Sequence, residues 1–271
     1  MKHVLSIAGS DSGGGAGIQA DIKTMSALGV YAMTVITAVT AQNTQAVYLV
    51  QELDVPMVVA QIEAVYRDIP VDAVKIGMVS NAAIIHGIKA SLLSFHAKNI
   101  VVDPVMVSKN GYQLLKSDAI EALKTLAIIA DIFTPNIPEA ELLCGTSITT
   151  EADMRQAAET IAALGVRNVL IKGGHRVGPD AEDLLFLDGR FVVLSARRIE
   201  TKHTHGTGCT LSSAIASRLA LGDSMEAAVR TAKAYLTQAI ADSYALGKGT
   251  GPVGHFAALY HKAGMELETV Q

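Results

Sequence analysis

Short apolar runs alternate along this chain with longer amphipathic segments in which apolar residues recur at helical spacing. A parallel strand that is buried on both faces reads as such a run, and a crossover helix reads as the segment that follows it. The alternation therefore predicts an α/β fold built around a mostly parallel sheet. We predict strands at residues 4–8, 73–76, 100–103, 132–134 and 169–172, and helices at residues 17–28, 57–68, 82–96, 118–130, 151–164, 210–221 and 224–246.

Two stretches depart from this alternation. The β-rich segments 31–38 and 47–53 follow the first helix with no helix between them, so we expect a small β flap or edge extension at about residues 31–53. Segments 184–187 and 191–194 flank Asp188-Gly189-Arg190, which predicts a hairpin. Because no linker, repeat or low-complexity segment interrupts the pattern, we expect one domain over residues 1–271.

The composition narrows the class of protein. A formal charge of −4 and the lack of any Lys/Arg-rich run argue against a nucleic-acid partner and favour a small-molecule ligand. Charged or polar residues interrupt every apolar run before the ~18 residues that a membrane span needs, and the sequence starts without a signal-peptide pattern. With two cysteines, a reducing cytoplasm is expected. The strand edges at residues 31–53 favour a homodimer that covers them.

The segment HTHGTGCT at residues 203–210 leads directly into an apolar helical pattern. Gly206 and Gly208 permit positive φ and close approach of a ligand, so the amides around Thr207 are expected to form an anion hole at the helix N-terminus. The same field should favour the thiolate of Cys209. Local chemistry also allows a glycine turn that leads to a buried, inert thiol.

Polar residues follow the predicted strands repeatedly. The glycine-rich stretch 9–17 fits neither a P-loop nor a dinucleotide fingerprint, and it is either a structural turn or a substrate contact. Asp103, Asn136, Glu139 and Lys172 come after later strands, at the sheet edge where parallel sheets bind ligands. Each could serve a turn, a helix start or the solvated surface. Together, carboxylates and an amide near a lysine favour a Mg²⁺–triphosphate site.

Ordered blocks along nearly the whole chain resemble the ribokinase-type superfamily, and within it the hydroxymethylpyrimidine/phosphomethylpyrimidine kinases of thiamin biosynthesis. Besides the glycine motif, the blocks are IAGSDSGGGAGIQAD (7–21), TAQNT (40–44), KIGM (75–78), VDPVM (102–106), TPNIPEAE (134–141) and KGGH (172–175). The resemblance implies a three-layer α/β/α fold. It also implies transfer of the γ-phosphoryl group of Mg·ATP to 4-amino-5-hydroxymethyl-2-methylpyrimidine and then to its monophosphate.

The resemblance also implies roles for individual residues. Cys209 falls where related sugar kinases have the aspartate of G-T-G-D, and it is the expected catalytic residue beside an anion hole formed by Gly206, Thr207 and Gly208. The other implied roles are pyrimidine contacts for Asp21 and Gln42, apolar walls for Met78 and Val105, ATP and phosphate contacts for Lys172, Asn136 and Lys233, magnesium binding for Glu139 and Asp103 (partly through water), and a mobile cover for residues 108–111.

Three other functions remain open from the sequence. Pyridoxal-type substrates also carry a hydroxymethyl arm on a six-membered ring, so a pyridoxal kinase is the nearest alternative. A hydrolase that uses Cys209 and His205 is more distant, because no third orienting group is evident. A pyrimidine sensor without catalysis is the last, and the acidic and lysine positions argue against it.

Overall fold

A computed structural model describes residues 1–106, 119–174, 176 and 178–265. Within these residues one sheet holds nine strands in the order β3-β2-β1-β4-β5-β6-β7-β8-β9. Strands β1, β2 and β4 to β7 are parallel, whereas β3, β8 and β9 pair antiparallel. The strands are β1 (His3–Asp11), β2 (Tyr31–Gln42), β3 (Val47–Glu52), β4 (Ala73–Ile76), β5 (Ile100–Val102), β6 (Ile132–Phe133), β7 (Asn168–Ile171), β8 (Asp180–Leu187) and β9 (Arg190–Arg197).

Helices cover both faces of the sheet. One hydrophobic cluster joins the sheet to α2 through α6, and a second joins it to α1, α7 and α8. This arrangement confirms the three-layer α/β/α fold. The helices are α1 (Gly17–Ala27), α2 (Val55–Tyr66), α3 (Ala82–Ser94), α4 (Ile120–Leu126), α5 (Ile137–Cys144), α6 (Glu151–Ala162), α7 (Thr207–Ala220), α8 (Met225–Ala241) and α9 (Ala257–Lys262).

The predicted flap at residues 31–53 is corrected in its first half. Strand β2 lies inside the central sheet, where it runs parallel to β1 from the pair His3 and Tyr31 to the pair Asp11 and Thr40. Its residue Val35 is fully buried. Only β3, paired antiparallel to the far end of β2, forms the edge extension. The helix between β1 and β2 is α1, so their parallel pairing follows from one ordinary crossover.

Most predicted elements are confirmed within a few residues of their expected ends, including the hairpin β8–β9. Three differ more. Helices α5 and α9 were not predicted, although Asn136 and Glu139 form a capping box at the start of α5. Helix α8 ends at Ala241 rather than at residue 246. The predicted helix at 118–130 appears as α4, and its first residue lies outside the described residues.

No helix among the described residues is both long enough and apolar enough to cross a bilayer.

Candidate active site

A cavity of about 430 Å³ lies at the carboxyl edge of the parallel strands, against the N-termini of α1 and α7. The ends of β1, β2 and β5 reach it because parallel strands all point their carboxyl ends at the same edge. Most of the predicted site residues meet here. Those that line it are Gln42, Met78, Asp103, Val105, Asn136, Glu139, Lys172, Gly206, Thr207, Gly208 and Cys209.

The N-terminus of α7 forms one wall of the cavity. Gly206 is the N-cap residue with φ of +82°, and a Cβ there would overlap the carbonyl oxygen of Gly15. Gly208 differs from expectation, because it has helical rather than left-handed backbone. A Cβ on Gly208 would lie 3.2 Å from the Asp103 carboxylate. Gly206 is thus needed for its backbone angle, and Gly208 for space beside the charged groups.

The sulfur of Cys209 faces the cavity from the first turn of α7, and the N–H of Gly17 at the start of α1 donates to it. Burial raises the pKa of this thiol to about 11, although the Lys75 ammonium acts in the opposite direction. The expectation that the helix field favours a thiolate is therefore wrong. At neutral pH the group is a thiol, because desolvation of a buried anion outweighs the nearby positive charges.

Three charged groups meet where β5, β6 and β7 end. Lys172 Nζ lies 2.7 Å from Asp103 Oδ1 and 3.8 Å from Glu139 Oε2. Glu139 also accepts the N–H of Asn136 at 2.7 Å. Burial raises the pKa of Glu139 to about 7, and the Asp103 carboxylate adds to this effect while Lys172 opposes it. One lysine is thus shared between two buried carboxylates.

A second cavity, of about 270 Å³, adjoins the first on the side of β8, β9 and α8. Asn136, Lys172, Thr207 and Gly208 line both cavities, so the two meet at the start of α7. Lys233 lines only the second cavity. Its Nζ contacts the carboxylate of Asp183 at 2.6 Å and the carbonyl of Ala181 at 3.0 Å.

Asp21 does not lie where the sequence placed it. Its fully buried carboxylate lies outside both cavity walls, and both of its oxygens lie 2.9 Å from Lys75 Nζ. The hydroxyls of Ser6 and Ser213 donate to it as well, at 2.5 and 2.7 Å. In this structure all of these donors are internal, so the carboxylate presents no oxygen to either cavity. The contact of Asp21 with the pyrimidine therefore stays a prediction, and the contact that the structure shows is the one with Lys75.

The remaining predicted substrate residues do face the first cavity. Gln42 is held through its backbone, which bonds Ser12 Oγ at 2.7 and 2.8 Å, while its side-chain amide makes no hydrogen bond within the described part of the chain. Met78 and Val105 add apolar surface to the cavity. The predicted cover at residues 108–111 lies outside the described residues, as does His175 of the KGGH block.

Sequence reasoning missed a pair, buried Asp11 and partly buried His205, that also lines the first cavity. His205 Nε2 lies 3.0 Å from Asp11 Oδ2, and Asp11 accepts backbone N–H groups from Gly13, Gly15 and Ala16. The signal was present as an aspartate two residues before a glycine run. The pair also bears on the hydrolase alternative, because His205 is directed at Asp11 and forms no hydrogen bond with Cys209 among the described residues.

Because the two cavities meet at the amides of α7, a donor phosphate and an acceptor alcohol can approach the same helix N-terminus from opposite sides. On a three-layer α/β/α fold this arrangement defines the class of ribokinase-like kinases. Residues 11–254 match the family described as phosphomethylpyrimidine kinase. The chain belongs to this family.

Curated relatives agree with this assignment. A hydroxymethylpyrimidine/phosphomethylpyrimidine kinase of Rhizobium meliloti is 54% identical over 256 residues, which cover 93% of this chain and 96% of the relative. A thiamine biosynthesis bifunctional protein of Geobacter sulfurreducens is 50% identical over 94% of this chain. The chain spans about half of that longer protein, 52% of its length.

Solved structures share the fold closely. Pyridoxal kinase of Bacillus subtilis, solved as an ADP complex, is 38% identical with a TM-score of 0.90 over 96% of this chain and 99% of its own. Phosphomethylpyrimidine kinase of Clostridium difficile is 51% identical with a TM-score of 0.79 over 89% of this chain and 100% of its own.

Proposed function

We propose that this kinase transfers the γ-phosphoryl group of ATP to the hydroxymethyl oxygen of 4-amino-5-hydroxymethyl-2-methylpyrimidine, and then transfers a second one to the resulting monophosphate. The observation that carries the proposal is the meeting of two cavities at Thr207 and Gly208, with Lys172 lining both. Family membership supports the same substrate. Phosphoryl transfer needs positioned groups and charge neutralisation more than covalent chemistry, and this edge of the sheet supplies both.

The first cavity suits a flat ring with polar edges. The side-chain amide of Gln42 can donate to a ring nitrogen or accept from the exocyclic amine. Met78 and Val105 offer apolar surface for the ring faces. In this pose the hydroxymethyl arm points at Cys209, whose thiol orients the acceptor oxygen rather than standing ready as an anion, since its pKa is about 11.

The second cavity is proposed to hold ATP, with the triphosphate directed at the start of α7. The amides of Thr207, Gly208 and Cys209 then face the transferring group, where the helix dipole stabilises negative charge. Lys172 adds a cation within the same wall. Lys233 stays bonded to Asp183 and borders the nucleotide rather than its phosphates.

The residues at the junction fit Mg²⁺. Within the described ranges no group of three or more His, Cys, Asp or Glu side chains forms a ready-made metal site. Mg²⁺ commonly uses one or two carboxylates and completes its shell with waters and substrate phosphates. Asp103 and Glu139 supply two buried carboxylates, and the raised pKa of Glu139 is what a dication would lower. The ion would neutralise phosphate charge during transfer.

The direct test is incubation with Mg·ATP and the hydroxymethylpyrimidine, followed by mass spectrometry of the products. We expect the monophosphate first and the pyrophosphate ester later. Pyridoxal, the acceptor of the alternative function, is assayed in parallel. A higher kcat/KM on pyridoxal than on the pyrimidine would overturn the proposed substrate. ATP-independent ester cleavage would overturn the proposed class of reaction.

A second experiment addresses Cys209. The neutral alcohol is the weaker acceptor and must lose a proton, whereas the monophosphate is already largely an oxyanion, so the first transfer depends more on the orientation that the Cys209 thiol gives to the acceptor oxygen. We expect Cys209→Ala to lower the first rate at least tenfold more than the second. Equal losses in the two half-reactions would reduce Cys209 to a packing role.

We further propose that two copies pair through the β3 edge. Beyond β3 there is no further strand among the described residues, and Tyr48 and Leu49 on it are 65% and 64% exposed. Exposed apolar strand edges are commonly covered in native assemblies. Light scattering should give twice the chain mass for the wild type and a monomer for Leu49→Lys, and a monomeric wild type would refute the pairing.

A reducing cytoplasm is the proposed location, consistent with free thiols at Cys144 and Cys209.

A further inference from the structure

The glycine loop after β1 (residues 12–16, here the first loop) is closed around an internal anion. Asp11 Oδ1 accepts the N–H of Gly13 at 2.8 Å, and Asp11 Oδ2 accepts those of Gly15 and Ala16 at 2.9 and 2.8 Å. Converging backbone N–H groups of this kind otherwise form a nest for phosphate. Here a side-chain carboxylate occupies the nest, so the loop is unavailable to a ligand anion and has a different task.

The same carboxylate joins the first loop to the segment that precedes α7 (residues 203–206, here the second loop). His205 Nε2 lies 3.0 Å from Asp11 Oδ2. Its ring packs on Gly15 so closely that a Cβ on Gly15 would overlap ring carbon Cδ2. The backbone of His205 is fixed separately, since its N–H donates to the carbonyl of Gly251 at 3.1 Å. A substitution of the His205 side chain can therefore remove the contact with Asp11 while the backbone hydrogen bond to Gly251 remains.

The first loop continues to the ring side of the cavity. Ser12 Oγ donates to the carbonyl of Gln42 at 2.7 Å and accepts its N–H at 2.8 Å. The second loop ends at Gly206, which caps α7. A continuous path of contacts thus runs from Gln42 through Ser12, Asp11 and His205 to the anion hole.

We propose that Asp11 and His205 are a positioning pair that holds the anion hole of α7 in fixed geometry with the pocket for the substrate ring. The structural claim, that the pair links the two loops, does not depend on the proposed function. The kinetic claim, that this link raises turnover, rests on the proposed function. Misplacement of about 1 Å costs on the order of 10²-fold in rate, so a link between the two halves of a site matters more for turnover than for binding of either substrate.

The structural part is tested by hydrogen exchange with mass spectrometry, which needs no activity. His205→Phe keeps the ring bulk on Gly15 and removes Nε2, Asp11→Asn weakens the contact from the other side, and His86→Phe is the matched exposed control. We expect His205→Phe to speed exchange at least tenfold in the first loop, and Asp11→Asn to do so in the second loop. Exchange that changes only in the second loop for His205→Phe, and only in the first loop for Asp11→Asn, would overturn the proposal.

The kinetic part uses the same proteins with ATP and the pyrimidine. His205→Phe should lower kcat about 10- to 100-fold while both KM values stay within about threefold. His205→Gln, whose amide can still donate to Asp11, should recover part of the loss. Asp11→Asn added to His205→Phe should cost little more, because the two residues act as a unit. Losses that multiply, or that fall entirely in KM, would refute the pair. If His205→Phe does not fold, Asp11→Asn and His205→Gln decide the question by the same readouts.

An inactive wild type would contradict the proposed function alone, since the exchange experiment still decides whether the two loops are linked.

Discussion

At the scale of single residues, the most unusual group is Lys75, a lysine with a fully buried side chain. It is tolerated because Asp21 lies against it at 2.9 Å; although burial lowers the pKa of Lys75, the Asp21 carboxylate holds it above the usual value. Removing one partner of such a pair leaves an uncompensated buried charge. The ion pair thus joins β4, which carries Lys75, to α1, which carries Asp21.

We therefore predict that Lys75→Met lowers the free energy of unfolding by about 3–5 kcal/mol. The double variant Asp21→Asn/Lys75→Met should be clearly more stable than Lys75→Met, because no charge stays unpaired. Lys2→Met, which breaks the exposed pair with Asp72, is the control and should cost no more than about 1 kcal/mol. Urea unfolding measures all three. Similar small losses in both single variants would contradict the assigned role.

Glu139 gives a prediction for pH. Its pKa is about 7 in the folded protein, raised first by burial, against 4.5 for an ordinary glutamate. Between these values the folded state binds more protons than the unfolded state, so the free energy of unfolding falls as pH rises from about 4.5 to 7. The loss attributable to Glu139 is up to about 3 kcal/mol.

In metal-free buffer, Glu139→Gln should be more stable than wild type at pH 8, and the difference should vanish near pH 4. Glutamine keeps an oxygen for the N–H of Asn136, so the helix cap survives. The exposed Glu121→Gln serves as the control. A pH-independent difference between Glu139→Gln and wild type would show that the carboxyl is not desolvated in solution.

At the scale of elements, α7 begins where the backbone turns left-handed at Gly206. Gly222, just after the same helix, also has positive φ, at +100°, but a Cβ there meets nothing within 4 Å. Both positions have a positive φ, but only at Gly206 would a Cβ also overlap a neighbouring atom. Comparing alanine substitutions at the two positions therefore separates the free-energy cost of the backbone angle from that of the steric overlap. For Gly222→Ala we expect a loss of about 1–2 kcal/mol with normal turnover.

Gly206→Ala should cost more than that and lower kcat at least tenfold, because its Cβ must displace the carbonyl of Gly15 and shift the first turn of α7. Urea unfolding and a coupled ADP assay measure the two quantities. Equal behaviour of the two variants would mean that the start of α7 tolerates displacement.

At the scale of the whole molecule, one continuous sheet separates the two hydrophobic clusters, so neither helix layer can lose its packing independently. We predict a single cooperative unfolding transition, in agreement with the one domain expected from sequence. Phe133→Ala, at a fully buried position of β6, should cost about 3–5 kcal/mol and lower Tm by roughly 10 °C. Far-ultraviolet and tyrosine circular dichroism should shift together; two separated transitions would indicate two domains.

Many of the strands and helices can be predicted from the sequence because each depends on the local spacing of apolar residues. Strand β4 was predicted to the residue, since a buried parallel strand is a continuous apolar run bounded by polar residues. Helix α5 was missed because a short helix with Pro138 in its first turn carries little periodic signal. The placement of β2 was also missed, since partners in a sheet are chosen over distances that no local pattern records.

For the site, the sequence by itself determined which chemical groups gather at the carboxyl edge of the sheet. That edge is fixed by the alternation of strands and helices, and so Lys172, Asp103, Glu139 and the start of α7 were found together. Only the tertiary structure decided which of the polar groups stay free. The carboxylate of Asp21 is bound by Lys75 instead of facing the cavity. At Cys209, burial raises the pKa of the thiol although the residue lies at a helix N-terminus. Asp11 is paired with His205, which is 194 residues away in the sequence. Charge, burial and pairing depend on every neighbour in space, and those neighbours come from distant parts of the chain.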